Sequence, residues 1–186
     1  MILTGGFTDA ARASASAFRA ALTALSRPGT ITTVSGAEPP SAISVAAGVL
    51  VLTLADATTP VHLAGATDCA DVRDWITFHT GAPLVAAKEA TLALGAWEAL
   101  QPVSRFAIGT GAYPDRSATL IVEVPTLVAQ GARLTGPGIK GASHLSLPEV
   151  AAFQANHALF PLGFDVFLTC GDRLAGLPRS TRLEVV

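Results

Sequence analysis

Charge is what this sequence has least of. Asp, Glu, Lys and Arg make up 14% of its 186 residues, where a typical domain carries roughly a quarter. So little charge leaves either a surface of small residues or a large area that another subunit shields. Alanine enrichment and burial by a partner both account for it, and the two are compatible. The formal net charge is −2 and the arginines are scattered, so no basic stripe is available to follow nucleic-acid phosphates.

Cysteine and lysine are almost missing as well. Cys69 and Cys170 lie far apart with no CxxC partner, which fits reduced thiols rather than a disulfide framework. Lys88 and Lys140 are the only lysines. Pyridoxal phosphate chemistry needs a desolvated lysine and an acid facing the pyridine nitrogen; Lys88 falls in a polar turn and Lys140 in a glycine-rich loop. His62, His79, His144 and His157 are dispersed without metal-ligand spacing, so no metal site is expected. No GxSxG elbow precedes a helix. The longest apolar run, Ile43 to Ala55, is broken by Ser44, Gly48 and Thr53 and is shorter than the roughly twenty residues of a membrane span. The opening Met1-Ile2-Leu3-Thr4-Gly5-Gly6 lacks a cationic region ahead of an apolar one, so no secretory signal is expected and the setting is read as cytoplasmic.

What is present reads as alternating helices and strands. Thr8 or Asp9 caps a helix to about Leu25, its apolar side marked by Phe7, Phe18, Leu22 and Leu25, and Arg27-Pro28-Gly29 stops it. Ile31 to Val34 is a short strand. Ser41 caps a buried helix over Ala42 to Leu54, and Pro60 to Leu63 is a strand. Asp71 to Phe78 is a helix, Thr91 to Leu94 a strand and Gly95 to Leu100 a helical turn. Ala118 to Val124 is the clearest strand, β-branched almost throughout. Leu127 to Ala129 continues as a short strand, Glu149 to Leu159 is a helix, and Phe164 to Cys170 is a strand covered on both faces. A turn at Gly171-Asp172-Arg173 leads to a final strand over Thr181 to Val186. The expected fold is one domain over residues 1–186, a three-layer αβα arrangement around a mixed sheet.

Two features carry possible chemistry. Gly136-Pro137-Gly138-Ile139-Lys140-Gly141 matches GxGxxG in letters, but the residues after it do not read as the helix that the dinucleotide fingerprint must open, and Pro137 removes a backbone donor. A turn shaping the next element is the favoured reading; Lys140 beside glycine amides would suit a phosphate or a partner's carboxylate. Asp165 enters an apolar strand, where a carboxylate needs a partner. Arg27, Arg173 and Arg179 are the candidates, and a structural ion pair is favoured over a catalytic acid.

Taken in order, Arg27-Pro28-Gly29, Leu52-Thr53-Leu54-Ala55-Asp56, Phe78-His79-Thr80-Gly81, Gly109-Thr110 with Pro114 to Leu120, Gly136-Pro137-Gly138-Ile139, Phe160-Pro161-Leu162-Gly163-Phe164-Asp165 and Leu177-Pro178-Arg179 span nearly the whole chain. That ordered set resembles the H subunit of the carbon–phosphorus lyase system, which handles organophosphonates. The resemblance implies a fold like the large domain of pyridoxal-phosphate-dependent transferases without the cofactor. It implies a homodimer alone, and a core complex with the G, I and J subunits. It implies a supporting, non-catalytic role in a reaction where a phosphonate displaces adenine from ATP to give a ribose 1-phosphonate 5-triphosphate, with no cofactor of its own. Arg27, Gly136, Gly138, Lys140, Asp165 and Arg179 are the candidate ligand or interface residues, and no residue is assigned to catalysis or metal binding. Two other readings stay open: a free-standing enzyme using pyridoxal phosphate or a nucleotide, suggested by the glycine loop and Lys140, and a plain dimerisation scaffold.

Overall fold

A computed structural model describes residues 4–184. Among the described residues, nine strands and five α-helices follow one another in the order α1 (Ala10–Ser26), β1 (Ile31–Thr33), α2 (Val45–Leu54), β2 (Val61–Leu63), α3 (Ala70–Thr80), β3 (Leu92–Ala96), α4 (Trp97–Leu100), β4 (Thr119–Glu123), β5 (Ala132–Thr135), β6 (Ser143–Leu145), α5 (Val150–Ala158), β7 (Asp165–Cys170), β8 (Arg173–Leu177) and β9 (Arg182–Glu184). Six strands form one mixed sheet in the order β1-β8-β7-β4-β3-β2, and β5 sits between β6 and β9 in a smaller antiparallel sheet. Strands β2, β3, β4 and β7 run parallel, while β8 is antiparallel to both of its neighbours, β7 and β1. Two reversals return β1 to the direction of β7. Five strands of the large sheet therefore begin at one end and finish at the other.

Period-two alternation divides the core between the faces of the large sheet. Leu92, Leu94, Ile121, Phe167 and Leu174 pack with α1, α2 and α3. Ala93, Leu120, Val122, Val166, Leu168 and Ala175 pack with Trp97, Phe153, Leu134, Leu145 and Leu183 on the other side. The three-layer expectation holds in outline, but its second outer layer is α4 and α5 together with the small antiparallel sheet, not helices alone.

Several local expectations are corrected by packing. Helix α1 is capped by Asp9, which accepts from the Arg12 amide at 3.2 Å, but its buried stripe is Ala17, Ala21 and Ala24, leaving Phe18 47% and Leu22 50% exposed. The reason lies across the interface at Gly176 of β8. A Cβ there would stand 2.6 Å from the backbone of Ala24, so helix and strand meet main chain to main chain and only alanine fits between them. Helix α2 is capped by Ser44 rather than Ser41, with Ser44 Oγ accepting from Ala47 N at 3.1 Å. Leu127 to Ala129 is not a strand; Val128 instead exchanges single bonds with Ser146. Strands β5, β6 and β8 were not expected, and the final strand is Arg182–Glu184, with Val185 and Val186 outside the described residues. Among the described residues no helix is long and apolar enough to cross a membrane.

Candidate functional site

Open parallel sheets bind ligands in the crevice outside the strand carboxyl ends, where helix N-termini point. Here that crevice is a cavity of about 370 Å³ lined by Ser41, Ser44, Thr67, Ala96 and Glu123 among others. Glu123, the last residue of β4, fills the anion position itself. Its Oε1 accepts from the Ser44 amide at 2.6 Å and its Oε2 from Thr169 Oγ1 at 3.1 Å. The Ala46 amide goes to Gly171 O at 2.9 Å and the Ala47 amide to Ser44 Oγ. The chain thus uses three of its own acceptors where a phosphate would dock.

Neither lysine reaches this end. Lys88 lies in the 3-10 turn Ala87–Glu89 that leads into β3, and Lys140 lies between β5 and β6. The aldimine chemistry of the pyridoxal phosphate reading therefore has no lysine at the crevice. The nucleotide reading fares no better, because Gly136 to Gly141 is the connection of an antiparallel hairpin, β5 to β6, and opens no helix. The letters GxGxxG are here a reversal built on positive φ at Gly136, Gly138 and Gly141.

The six residues singled out from sequence all lie toward the opposite end, where the parallel strands begin. Asp165 starts β7, and its partner is Arg179, just past the end of antiparallel β8. Asp165 Oδ1 accepts from the Arg179 amide at 2.9 Å and from Nε at 3.1 Å, while Oδ2 accepts from Nη2 at 2.6 Å. Nη1 donates to Pro114 O at 2.9 Å and Nη2 also donates to Ser117 Oγ. One guanidinium thus pins the tail, the start of β7 and the loop before β4. Arg173, another candidate for Asp165, donates to Leu127 O instead. Of the three partners that the sequence offered Asp165, the structure pairs it with Arg179.

Gly136, Gly138, Arg27 and Lys140 form a second group beside it. A Cβ on Gly138 would stand 1.9 Å from Ser26 O and 3.4 Å from Pro28 Cδ, so the hairpin turn is seated on the backbone either side of Arg27. A Cβ on Gly29 would in turn strike the Ser143 side chain. Arg27 and Lys140 are exposed at this seat. Next to it is a cavity of about 370 Å³ lined by Gly136, Pro137, His157, Phe160, Ser180 and Arg182, its open wall almost wholly carbon. His157 Nδ1 lies 2.9 Å from Arg179 O; a carbonyl only accepts, so Nδ1 carries the proton there and Nε2 is left unprotonated in the neutral ring. Three stretches far apart in sequence, Gly136-Pro137, His157 with Phe160, and Ser180 with Arg182, thus wall one hollow. Sequence reading missed the buried residue next to His157. Asn156 is buried and bonded both ways to Phe164, donating to its carbonyl at 2.8 Å and accepting from its amide at 2.9 Å. An Asn inside a helical stretch was the available signal, since it is a weak helix former.

Fold and sites together describe an α/β chain whose ligand crevice is occupied by its own carboxylate and whose seven quoted motifs meet mostly at the other end. The chain belongs to the family described as bacterial phosphonate metabolism protein (PhnH), which it matches over residues 5–184. It is 39% identical, over 98% of its length and 96% of the relative's, to the alpha-D-ribose 1-methylphosphonate 5-triphosphate synthase subunit PhnH of Rhizobium meliloti (strain 1021).

Proposed function

We propose that this chain is the H subunit of an α-D-ribose 1-methylphosphonate 5-triphosphate synthase, acting in bacterial phosphonate breakdown as a non-catalytic member of a carbon–phosphorus lyase core complex. The observation that carries this is the near end-to-end similarity to a relative that is itself a subunit of that synthase. The reaction joins a phosphonate oxygen to the ribose carbon of ATP as adenine leaves. In this reading the G and I subunits supply the reacting groups, the J subunit completes the complex, and this chain supplies shape and contact.

The geometry supports such a division of labour. Glu123 is committed to Ser44 and Thr169, Asp165 to Arg179, and no group of three or more His, Cys, Asp or Glu suited to a metal ion occurs among the described residues. The mixed sheet with one reversed strand near its edge is compatible with a cofactor-free relative of the pyridoxal-phosphate transferases. Absence of aldimine absorbance on adding pyridoxal phosphate is the corresponding expectation. Phe18 and Leu22, exposed over a cavity of about 610 Å³ that Leu54, Leu92 and Phe167 also line, provide apolar surface for a second copy and hence for the homodimer. The chain acts in the cytoplasm, where ATP is available.

The test is reconstitution. ATP and methylphosphonate are incubated with purified G and I subunits, with and without this chain, and the triphosphate product is followed by phosphorus NMR. Product is expected only when the chain is added, and none from the chain alone. Turnover by the isolated chain, or full activity without it, rejects the reading.

A further inference from the structure

The exposed large hydrophobic side chains among the described residues are Phe18, Leu22, Phe78, Tyr113, Leu159 and Phe160, and their placement is not random. Phe18 and Leu22 are in the second half of α1, which leads to β1; Phe78 is in the last turns of α3, which leads toward β3; Tyr113 is in the loop before β4; Leu159 and Phe160 follow α5 and precede β7. Strands β1, β3, β4 and β7 share one direction, so all six side chains fall at the end of the sheet where those strands begin. Burying one such side chain is worth roughly 1.5–3 kcal/mol, and a monomer that leaves six of them on one side is shaped for contact.

Within this end, the hollow walled by Gly136, Pro137, His157, Phe160, Ser180 and Arg182 has a distinctive charge. Arg27 and Lys140 at the hairpin seat and Arg182 at the hollow are exposed, and none of the ion pairs among the described residues involves them. The nearby acids are spoken for: Glu184 pairs with Arg133 at 2.6 Å and Asp165 with Arg179. A second copy on a two-fold axis passing through this hollow would bring cations against cations. The fitting occupant has the opposite sign.

We infer that this hollow is where the chain docks onto a partner subunit of its complex, taking an apolar side chain of the partner between Pro137 and Phe160 while carboxylates beside it meet Arg27, Lys140 and Arg182. This rests on the subunit reading above and adds to it a place and a chemistry. The surroundings of the hollow are fixed: His157, which lines it, is bonded to Arg179 O, the neighbouring Asn156 bonds the amide and carbonyl of Phe164, and Gly138 lies close against the end of α1. A rigid apolar pocket with a charged rim is the form in which a few residues dominate an interface.

The test is co-purification of the tagged chain with co-expressed G, I and J subunits, comparing wild type with Phe160→Asp, with the double variant Lys140→Glu and Arg182→Glu, and with Arg182→Lys. Phe160 is 58% exposed and Arg182 is exposed, so each isolated variant is expected to keep the wild-type unfolding midpoint; any that does not is set aside and the other carries the test. Capture is expected to weaken about thirtyfold or more for Phe160→Asp and for the double reversal, more steeply at low salt for the reversal, and to persist for Arg182→Lys. Wild-type strength in both loss variants overturns the inference while leaving the subunit reading intact. Failure of the wild type to capture any of the three subunits overturns both. A solution dimer of wild type that Phe160→Asp converts to monomer would assign the hollow to a second copy and overturn the heterologous partner.

Discussion

The two ends of the central sheet carry opposite designs. Where the parallel strands finish, three amides at the start of α2 that could recruit a small anion are already bonded within the chain: Ser44 N to Glu123, Ala46 N to Gly171 O, Ala47 N to Ser44 Oγ. Where they begin, rings and unpaired cations face outward. An enzyme of this architecture concentrates free hydrogen-bonding capacity at the first end; this chain uses its own acceptors on the α2 N-terminus there and leaves apolar side chains exposed at the second. The lesson is that a fold can keep the frame of a ligand-binding sheet while its function moves to the opposite rim, and that bonded and unbonded groups, more than the topology, tell which rim is in use.

The comparison breaks most easily at Arg179. Arg179→Ala removes four side-chain bonds and leaves Asp165, 28% exposed in its side chain, without its counterion, at an expected cost of about 3 kcal/mol by urea unfolding. Lysine at this position should recover little of it, because one ammonium cannot reach Asp165, Pro114 and Ser117 together. Gly138→Ala comes next, at about 2 kcal/mol or more, since φ is +79° and the new methyl meets Ser26 O. It should also impair partner capture, because the seat of the hairpin moves. Glu123→Gln sharpens the contrast from the other end. It keeps the shape but not the charge at the α2 N-terminus, so a loss of about 1 kcal/mol in unfolding free energy is expected with partner capture unchanged. Ser44→Ala should cost about 1 kcal/mol through the lost cap, read in the same way.

The smallest effect expected is at Asp56, beside the start of β2. Hydrogen bonds from the Thr58 side chain and amide, and from the Thr59 hydroxyl, hold its carboxyl below its ordinary value. A depressed carboxyl stabilises the folded chain above its unfolded-state pKa and loses that contribution as pH falls through the lowered value. Asp56→Ala should therefore lower the melting temperature slightly at pH 7, and the gap to wild type should close in strong acid. A constant gap across that range would refute the assignment.

Legibility from sequence followed locality. Helices α3 and α5 were readable because apolar spacing and stop signals lie within a few residues, and β4 and β7 because apolar residues rich in β-branched types run nearly without a break. Strand β8, Arg173-Leu174-Ala175-Gly176-Leu177, was not readable: Ala and Gly have little strand preference, and the glycine is there because α1 lies against Gly176. The same contact inverted the reading of α1, where size suggested that Phe18 and Leu22 face inward and close approach required Ala17, Ala21 and Ala24 instead. Of the residues lining the hollow, only Gly136 was singled out from sequence, while the Asp165–Arg179 pairing was among three possibilities for that carboxylate. Glu123 was not singled out, because nothing in Val122-Glu123-Val124 reveals that Ser44, 79 positions earlier, aims an amide at it.

By itself the sequence determined the class of the fold, the positions of most helices and strands, the shortage of charge and lysine, and the ordered motifs that mark the phosphonate family. Those depend on composition and on neighbours along the chain. Only the tertiary structure decided which rings are left in water, which acid closes the crevice, and that the motifs at Arg27, Gly136, Phe160 and Arg179 gather at the strand-start end. These are outcomes of close packing between distant segments, where a missing Cβ at Gly138 or Gly176 sets what else can approach.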